Sequence, residues 1–443
     1  MNRIALIGEN SVEYIRNLLD IWNDGDSAVL IDWRIPISSA IEMMNEAGVT
    51  ECHIENSIYE KYGSFKTENI IFKIFQRTSN IPLLLPKTIH NKFQTNYSKD
   101  EAVILYSSGT TGKSKGIILS HYAINTNADA IMDYMNLTDN DCLYIVKSLC
   151  HSSTLTGELL IALKFNIPII IAPTIVPPRK IFDTIQKFNV TTLCINPTIL
   201  QMLTEEQSKK KYALNTLHTI YVSGSILNDY IRNFADKVFE NINIYNVYGL
   251  SEAGPRVTAQ RKDCNRSNSV GKPILNVEIA IIDDFGNPLA TNEYGVVYVK
   301  TKSEYSGYIK GEEKFDRKYK NWLNTGDIGF LDENGELHIV DRKDDVIIID
   351  SHKIYPSEIE QKICAFPSVS KCVVIKAELN KKSSIVCIYS GSYISEFELK
   401  KYFKKTLATY EIPKRFINVS EIPLTNNGKI SKQYIKSLII KYL

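Results

Sequence analysis

The stretch Tyr106-Ser-Ser-Gly-Thr-Thr-Gly-Lys-Ser-Lys-Gly116 follows an apolar run, 102–105, that reads as a buried strand. Gly109, Gly112 and Gly116 permit tight turns, so several backbone N–H groups can converge on one anion. Ser107, Ser108, Thr110, Thr111 and Ser114 add hydroxyl donors, and Lys113 and Lys115 add positive charge. This is the make-up of a loop that holds phosphate. It is not a Walker loop, which places a glycine five residues before its Gly-Lys-Ser; position 107 here is serine. A Walker loop also runs straight into a helix, whereas Ile117-Ile-Leu119 reads as a second strand. Ser120 is the expected N-cap of the next helix, with Ile124, Ala128, Ile131 and Met135 on one face.

Four further motifs follow in order: Tyr248-Gly-Leu-Ser-Glu252, Thr325-Gly-Asp327, Asp341-Arg-Lys-Asp344 and Pro423-Leu-Thr-Asn-Asn-Gly-Lys429. Together with the 106–116 loop they resemble the motif series of the adenylate-forming enzymes: acyl-CoA synthetases, luciferases and stand-alone adenylation domains. The resemblance covers nearly the whole chain and is closest to acyl- and aryl-acid–CoA ligases. It implies an α/β fold with a large N-terminal AMP-binding domain, residues 1–343, and a mobile α+β lid, residues 344–443. Met1-Asn-Arg-Ile-Ala-Leu6 resembles a segment that relatives precede with several dozen residues, so the front end is shorter than is usual for the family.

The resemblance also implies the chemistry. ATP converts a carboxylate, whose own leaving group would be oxide, into an acyl adenylate and pyrophosphate; coenzyme A, or the phosphopantetheine of a separate carrier protein, then takes the acyl group. Two anions meet in the first step, so charge neutralisation and positioning carry the catalysis. By resemblance, residues 107–113 and Lys115 hold the phosphates, Glu252 binds Mg²⁺, and Ser251 donates to the α-phosphate. Tyr248, beside Gly249, stacks on adenine. Asp327 accepts the ribose hydroxyls, since one carboxylate takes two hydrogen bonds, and Arg342 touches ribose or phosphate. Asp344 matches the hinge, and Lys429 matches the lid lysine that bridges the substrate carboxylate and the α-phosphate.

Two departures from the family pattern bear on the substrates. Relatives that activate amino acids carry an aspartate for the ammonium group. The matching stretch here, Cys150-His151-Ser152-Ser153, places histidine there, so an acyl or aryl acid is expected. Ser152, Ser153, Thr154 and Thr156 suggest a polar pocket rim. In the lid, Ile349-Asp350-Ser351-His352-Lys353 has serine where thioester-forming relatives usually have glycine, which bears on the thiol step. The rival readings are a P-loop NTPase, which lacks its first glycine here, and a catalytically impaired nucleotide-binding relative, which filled Glu252 and Lys429 positions disfavour.

Composition sets the bounds. A chain of 443 residues is too long for one hydrophobic core, and 44% hydrophobic with 23% charged residues is ordinary for a globular protein. A net charge of +2 gives no reason to expect nucleic acid or an anionic membrane as partner. The eight cysteines show neither Cys-x-x-Cys nor zinc spacing, and the apolar segment 167–176 is too short to span a bilayer, so a cytoplasmic enzyme is expected. Ala28-Val-Leu-Ile31, Ile167-Pro-Ile-Ile-Ile-Ala172, Thr192-Leu-Cys-Ile195 and Thr219-Ile-Tyr-Val222 read as doubly covered parallel strands, with amphipathic stretches 179–188 and 228–239 between them. Short strands and turns are expected over 270–340, and helices 356–364 and 395–406 in the lid.

Overall fold

The computed structural model describes residues 1–62, 69–107, 114–173, 176–264, 268–310, 319–349, 352–379, 382–423 and 435. Residues 108–113, 350–351 and Lys429, all singled out above, lie outside this set, as does the side chain of Ser107.

Two large sheets form the body. The first has seven strands in the order Gly307–Tyr308, Lys115–Ser120, Glu101–Ser107, Ser27–Ile31, Arg3–Ile7, Glu51–Glu55 and Ile71–Phe75. The second has eight, among them Leu143–Ile145, Thr192–Ile195, Thr219–Val222, Asn243–Gly249 and Arg256–Ala259. Their central strands are parallel and buried along their length, as continuous β-branched runs require. The 167–172 run is shorter than its apolar pattern suggests, because only Ile169–Ile171 pairs.

The helix His121–Met135 starts at Ser120, whose Oγ accepts from Ala123 N at 3.1 Å. Its expected apolar face is buried, and so are Asn125, Thr126 and Asn127 on other faces, because it shares a core with strands of both sheets. Pro178–Phe188, Pro197–Lys209 and Asp229–Val238 cover the second sheet around a separate core.

A four-stranded antiparallel sheet follows, in the order Val277–Ile282, Gly295–Thr301, Leu323–Leu331 and Leu337–Arg342. Its turns are those the sequence marks: the Asp283 carboxylate takes the N–H groups of Phe285 and Asn287, and Asp332 those of Asn334 and Glu336. The C-terminal part has its own core, built on the helices Pro356–Cys364 and Glu396–Phe403 and a three-stranded sheet. It docks on the body through Ser357 N to Asp341 Oδ2 (2.8 Å), Tyr294 Oη to Glu358 Oε1 (3.1 Å) and Lys353 Nζ to Asp284 Oδ2 (3.0 Å).

Candidate active site

Two paired strands flank the expected phosphate loop. Glu101–Ser107 and Lys115–Ser120 pair antiparallel, Tyr106 opposite Gly116 and Ser107 opposite Lys115, so the two ends of the loop leave the sheet side by side. Next to them, Tyr308 pairs with Ile117, and Lys115 Nζ lies 5.3 Å from the centre of the Tyr308 ring.

Tyr308 carries the connection onward: its hydroxyl donates to Glu252 Oε1 at 3.0 Å. Glu252 sits in a single turn, Ser251–Ala253, at the end of the strand Asn243–Gly249. Gly249 is required there by close approach, since a Cβ would lie 1.8 Å from the carbonyl oxygen of Pro255. Burial pushes the Glu252 carboxyl above its usual range, and the Tyr308 hydroxyl and the Arg342 charge only partly offset this. A desolvated carboxylate with no ion-pair partner among the described residues is suited to a cation. No group of three or more His, Cys, Asp or Glu side chains that could hold a metal exists among the described residues. One carboxylate completed by phosphate oxygens is how Mg²⁺ is commonly held, so Glu252 fits that ion.

The ribose side is built by strand register. Asp327 lies opposite Arg342 in the antiparallel pair Leu323–Leu331 and Leu337–Arg342. Arg342 Nη1 donates to Asp327 Oδ1 at 2.8 Å and to the Thr325 carbonyl at 3.1 Å, while the Tyr248 hydroxyl donates to Asp327 Oδ2. Burial, then the Asp327 charge, raises the Tyr248 phenol well above its ordinary value. Burial alone would lower the Arg342 guanidinium; the Asp327 charge and hydrogen bond, with Tyr248 and Asp344, together outweigh it and hold the group up. Arg342 Nε is buried without a hydrogen-bond partner among the described residues. Three motifs separated by up to some hundred positions thus meet in one hydrogen-bonded cluster.

On the acid side, His151 precedes a helical segment that runs as a short α-turn, Ser152–Thr154, a π-helix, Leu155–Leu160, and a further α-turn, Ile161–Phe165. Ser152 Oγ and Ser251 Oγ are 2.8 Å apart, which ties this segment to the Glu252 turn. The His151 charge reaches Asp32: burial would raise that carboxyl, but Arg34, and to a smaller extent His151, hold it below its usual range. The expected pocket rim needs correction. Thr154 and Thr156 are fully buried and Ser152 nearly so, which leaves Ser153 alone of the four partly exposed.

Two residues that sequence reasoning missed shape the site. Tyr308 comes from a two-residue strand, too short to carry a periodic signal. Asn127 is a buried polar residue whose amide holds the segment after Glu252, accepting from Arg256 N at 2.9 Å and donating to Arg256 O at 3.0 Å. Its polar break in an otherwise buried helix was the available signal. Asp344 lies in the turn Lys343–Asp345, and beyond it Ile347–Ile349 pairs antiparallel with His352–Ile354.

Residues 1–309 match the AMP-binding enzyme model and residues 358–429 the AMP-binding enzyme C-terminal domain. A 4-coumarate–CoA ligase of Humulus lupulus is 28% identical over 77% of this chain, the match spanning 65% of that protein. A 2-succinylbenzoate–CoA ligase of Bacillus mycoides is 26% identical over 99% of this chain and 88% of its own length. Among solved structures, an o-succinylbenzoate–CoA synthetase of Bacillus subtilis in complex with ATP and magnesium shares the fold, with a TM-score of 0.82 at 22% identity over 98% of this chain and 89% of that one. Acid–CoA ligases are the class that the five motifs lead one to expect. The chain belongs to the AMP-binding enzyme family.

Proposed function

We propose that this protein is an AMP-forming ligase that activates a non-amino-acid carboxylic acid, acyl or aryl, and transfers it to coenzyme A. The observation that carries the reading is the convergence of Tyr248, Asp327 and Arg342, with Glu252 within their electrostatic reach, beside the mouth of the phosphate-loop hairpin.

An oxygen of the acid attacks the α-phosphorus of ATP and pyrophosphate leaves. Asp327 keeps its bonds to Tyr248 and Arg342 while its carboxylate accepts from the ribose hydroxyls. Tyr248 is thereby fixed by its hydroxyl end and presents its ring to the adenine. Glu252 holds magnesium, which when bound withdraws charge from the phosphate oxygens. Ser251 and the 107–115 loop donate to the phosphates, and Lys429 bridges acid and α-phosphate. In the second step the thiol sulfur attacks the acyl carbon, AMP leaves, and the thiol proton passes to solvent. His151 supplies no anion for an ammonium group, which supports acids over amino acids.

Acid-dependent exchange of labelled pyrophosphate into ATP tests the reading; absence of exchange across a broad acid panel with folded protein sinks it. A separate carrier protein offers the same thiol as coenzyme A, and supplying one or the other in the transfer step separates the two acceptors. A reducing, cytoplasmic setting agrees with eight cysteines that are all free. No helix among the described residues is long and apolar enough to cross a membrane.

A further inference from the structure

Four residues beyond Glu252, Arg256 opens the strand Arg256–Ala259 and turns its side chain inward. It is the largest fully buried side chain among the described residues, 2% exposed. Its Nε donates to Tyr134 Oη at 3.2 Å, and its Nη2 has no hydrogen-bond partner among the described residues. A guanidinium has five donors, so this one is far from satisfied.

The charges around it do not balance. Lys147 Nζ lies 3.1 Å from Glu158 Oε1, close enough for an ion pair but off hydrogen-bond geometry, since both atoms lack a hydrogen-bond partner. Lys147 is 9% and Glu158 1% exposed. Two buried cations therefore share a single carboxylate, and a buried charge without a counter-charge is costly.

The cluster also adjoins the segment that leads from His151. Glu158 belongs to the π-helix that follows His151, and π-turns are often found at functional sites. Gly157 in that helix leaves room for the guanidinium: a Cβ there would stand 3.3 Å from Arg256 Nη2. The Ser152–Ser251 contact fixes the near end of the segment at the adenylation motif. Gly157, six residues on from His151, brings the same segment against the guanidinium. Tyr134, which accepts from Arg256, and Tyr221 stand beside it, their rings meeting edge to face at 5.6 Å.

We infer that Arg256 reads a second carboxylate at the far end of the acid substrate, so that the enzyme prefers dicarboxylic acids to their monoacid counterparts. The inference rests on the ligase reading above and names the substrate class of that site. Arg256 is a specificity-determining residue, with Lys147 lending its charge and Gly157 the room.

The test measures pyrophosphate exchange with matched pairs: suberate against octanoate, and 3-(4-carboxyphenyl)propionate against 3-phenylpropionate. Wild type is expected to favour the diacid by about 10- to 100-fold in kcat/KM, chiefly through KM, the range for a charged hydrogen bond. Arg256→Met should reverse the preference, and Arg256→Lys should keep part of it. Should the methionine variant fail to fold, Gly157→Ala, which crowds Nη2, is expected to reduce the diacid preference in a folded enzyme. Exchange with monoacids and not diacids, or an unchanged ratio in folded Arg256→Met, overturns this inference alone. Exchange with neither kind overturns the ligase reading and this inference with it.

Discussion

The molecule contains two clusters of the same chemical parts. On the nucleotide side, Arg342, Asp327 and Tyr248 bond to one another at the rim of two sheets, with the arginine partly open to solvent. On the acid side, Arg256, Glu158, Tyr134 and Lys147 lie in the core, and the donors and the carboxylate are only partly matched. In the first, placed by strand register, every member bonds to another, and its proposed ligand is the nucleotide. The second is set by individual side chains on a distorted helix. Shared chemistry sits where the backbone alone can place it; selectivity sits where single residues can change without disturbing the sheets.

The broadest break of that comparison is Lys429→Ala, because the proposed bridge serves acid and nucleotide together. Its charge matters most as negative charge builds at the α-phosphate, so adenylation should fall by about 10²–10³, or roughly 3–4 kcal/mol, while ATP still binds. Single-turnover adenylate formation beside equilibrium ATP binding reads the two effects. Activity within tenfold of the parent would remove Lys429 from the mechanism.

A sharper separation comes from Asp327→Asn. It weakens the ribose contact and leaves Arg342 beside a neutral amide, and ATP affinity should drop by about 10- to 100-fold. The ratio of kcat/KM between two acids should stay where it was. Arg256→Met should do the opposite, moving the acid ratio and leaving ATP affinity within about threefold. If either variant moves both quantities together, the two clusters are one site and the division drawn here is wrong.

Legibility in the sequence follows the same division. The two strands 101–107 and 115–120 were readable because Gly and hydroxyl residues separate two apolar runs. Thr192–Ile195 and Thr219–Val222 were readable to the residue, since four β-branched or apolar positions in a row buried on both faces admit one reading. Asp327 and Arg342 were found through their motifs, though only the fold puts them opposite each other. Arg256 escaped notice because a lone arginine at a strand start looks like a surface charge. Its burial depends on Gly157, about a hundred positions away, and on a π-helix that 3.6-residue periodicity does not announce. Thr156 was misplaced for the same reason, since it lies in that π-helix and is buried.

The proposed hinge gives a smaller effect. Asp344 is exposed in a single turn between the body and the C-terminal part, whose docking contacts include the exposed pair Lys353–Asp284 and the Tyr294–Tyr355 ring contact. An exposed pair of this kind contributes about 1 kcal/mol or less, and relative motion of two domains is the proposal tested here. Asp344→Pro fixes φ without touching a reacting group and should slow thioester formation about tenfold more than adenylation. Equal losses in both half-reactions, measured separately, would leave Asp344 a structural role only. The Ser351 departure has its own signature: good adenylation with no transfer to either thiol, improved by Ser351→Gly.

The smallest effect concerns the carboxylate that the nucleotide side leaves without a cation. Burial raises Glu252 above the ordinary value of 4.5, so the folded protein binds that proton more tightly than the unfolded chain does. The stability cost is therefore absent below the unfolded value and grows as pH rises through the folded one. Without nucleotide and magnesium, Glu252→Gln should melt about one or two degrees above wild type at pH 8, and the gap should close near pH 4. Mg-ATP should reverse the order, since only the carboxylate holds the metal and ligand binding stabilises the form that binds. Melting curves of both proteins at the two pH values, with and without Mg-ATP, decide the matter. A glutamine variant that melts lower than wild type at pH 8 without ligand would mean that Glu252 already has a cationic partner, and its assignment to magnesium would lose its basis.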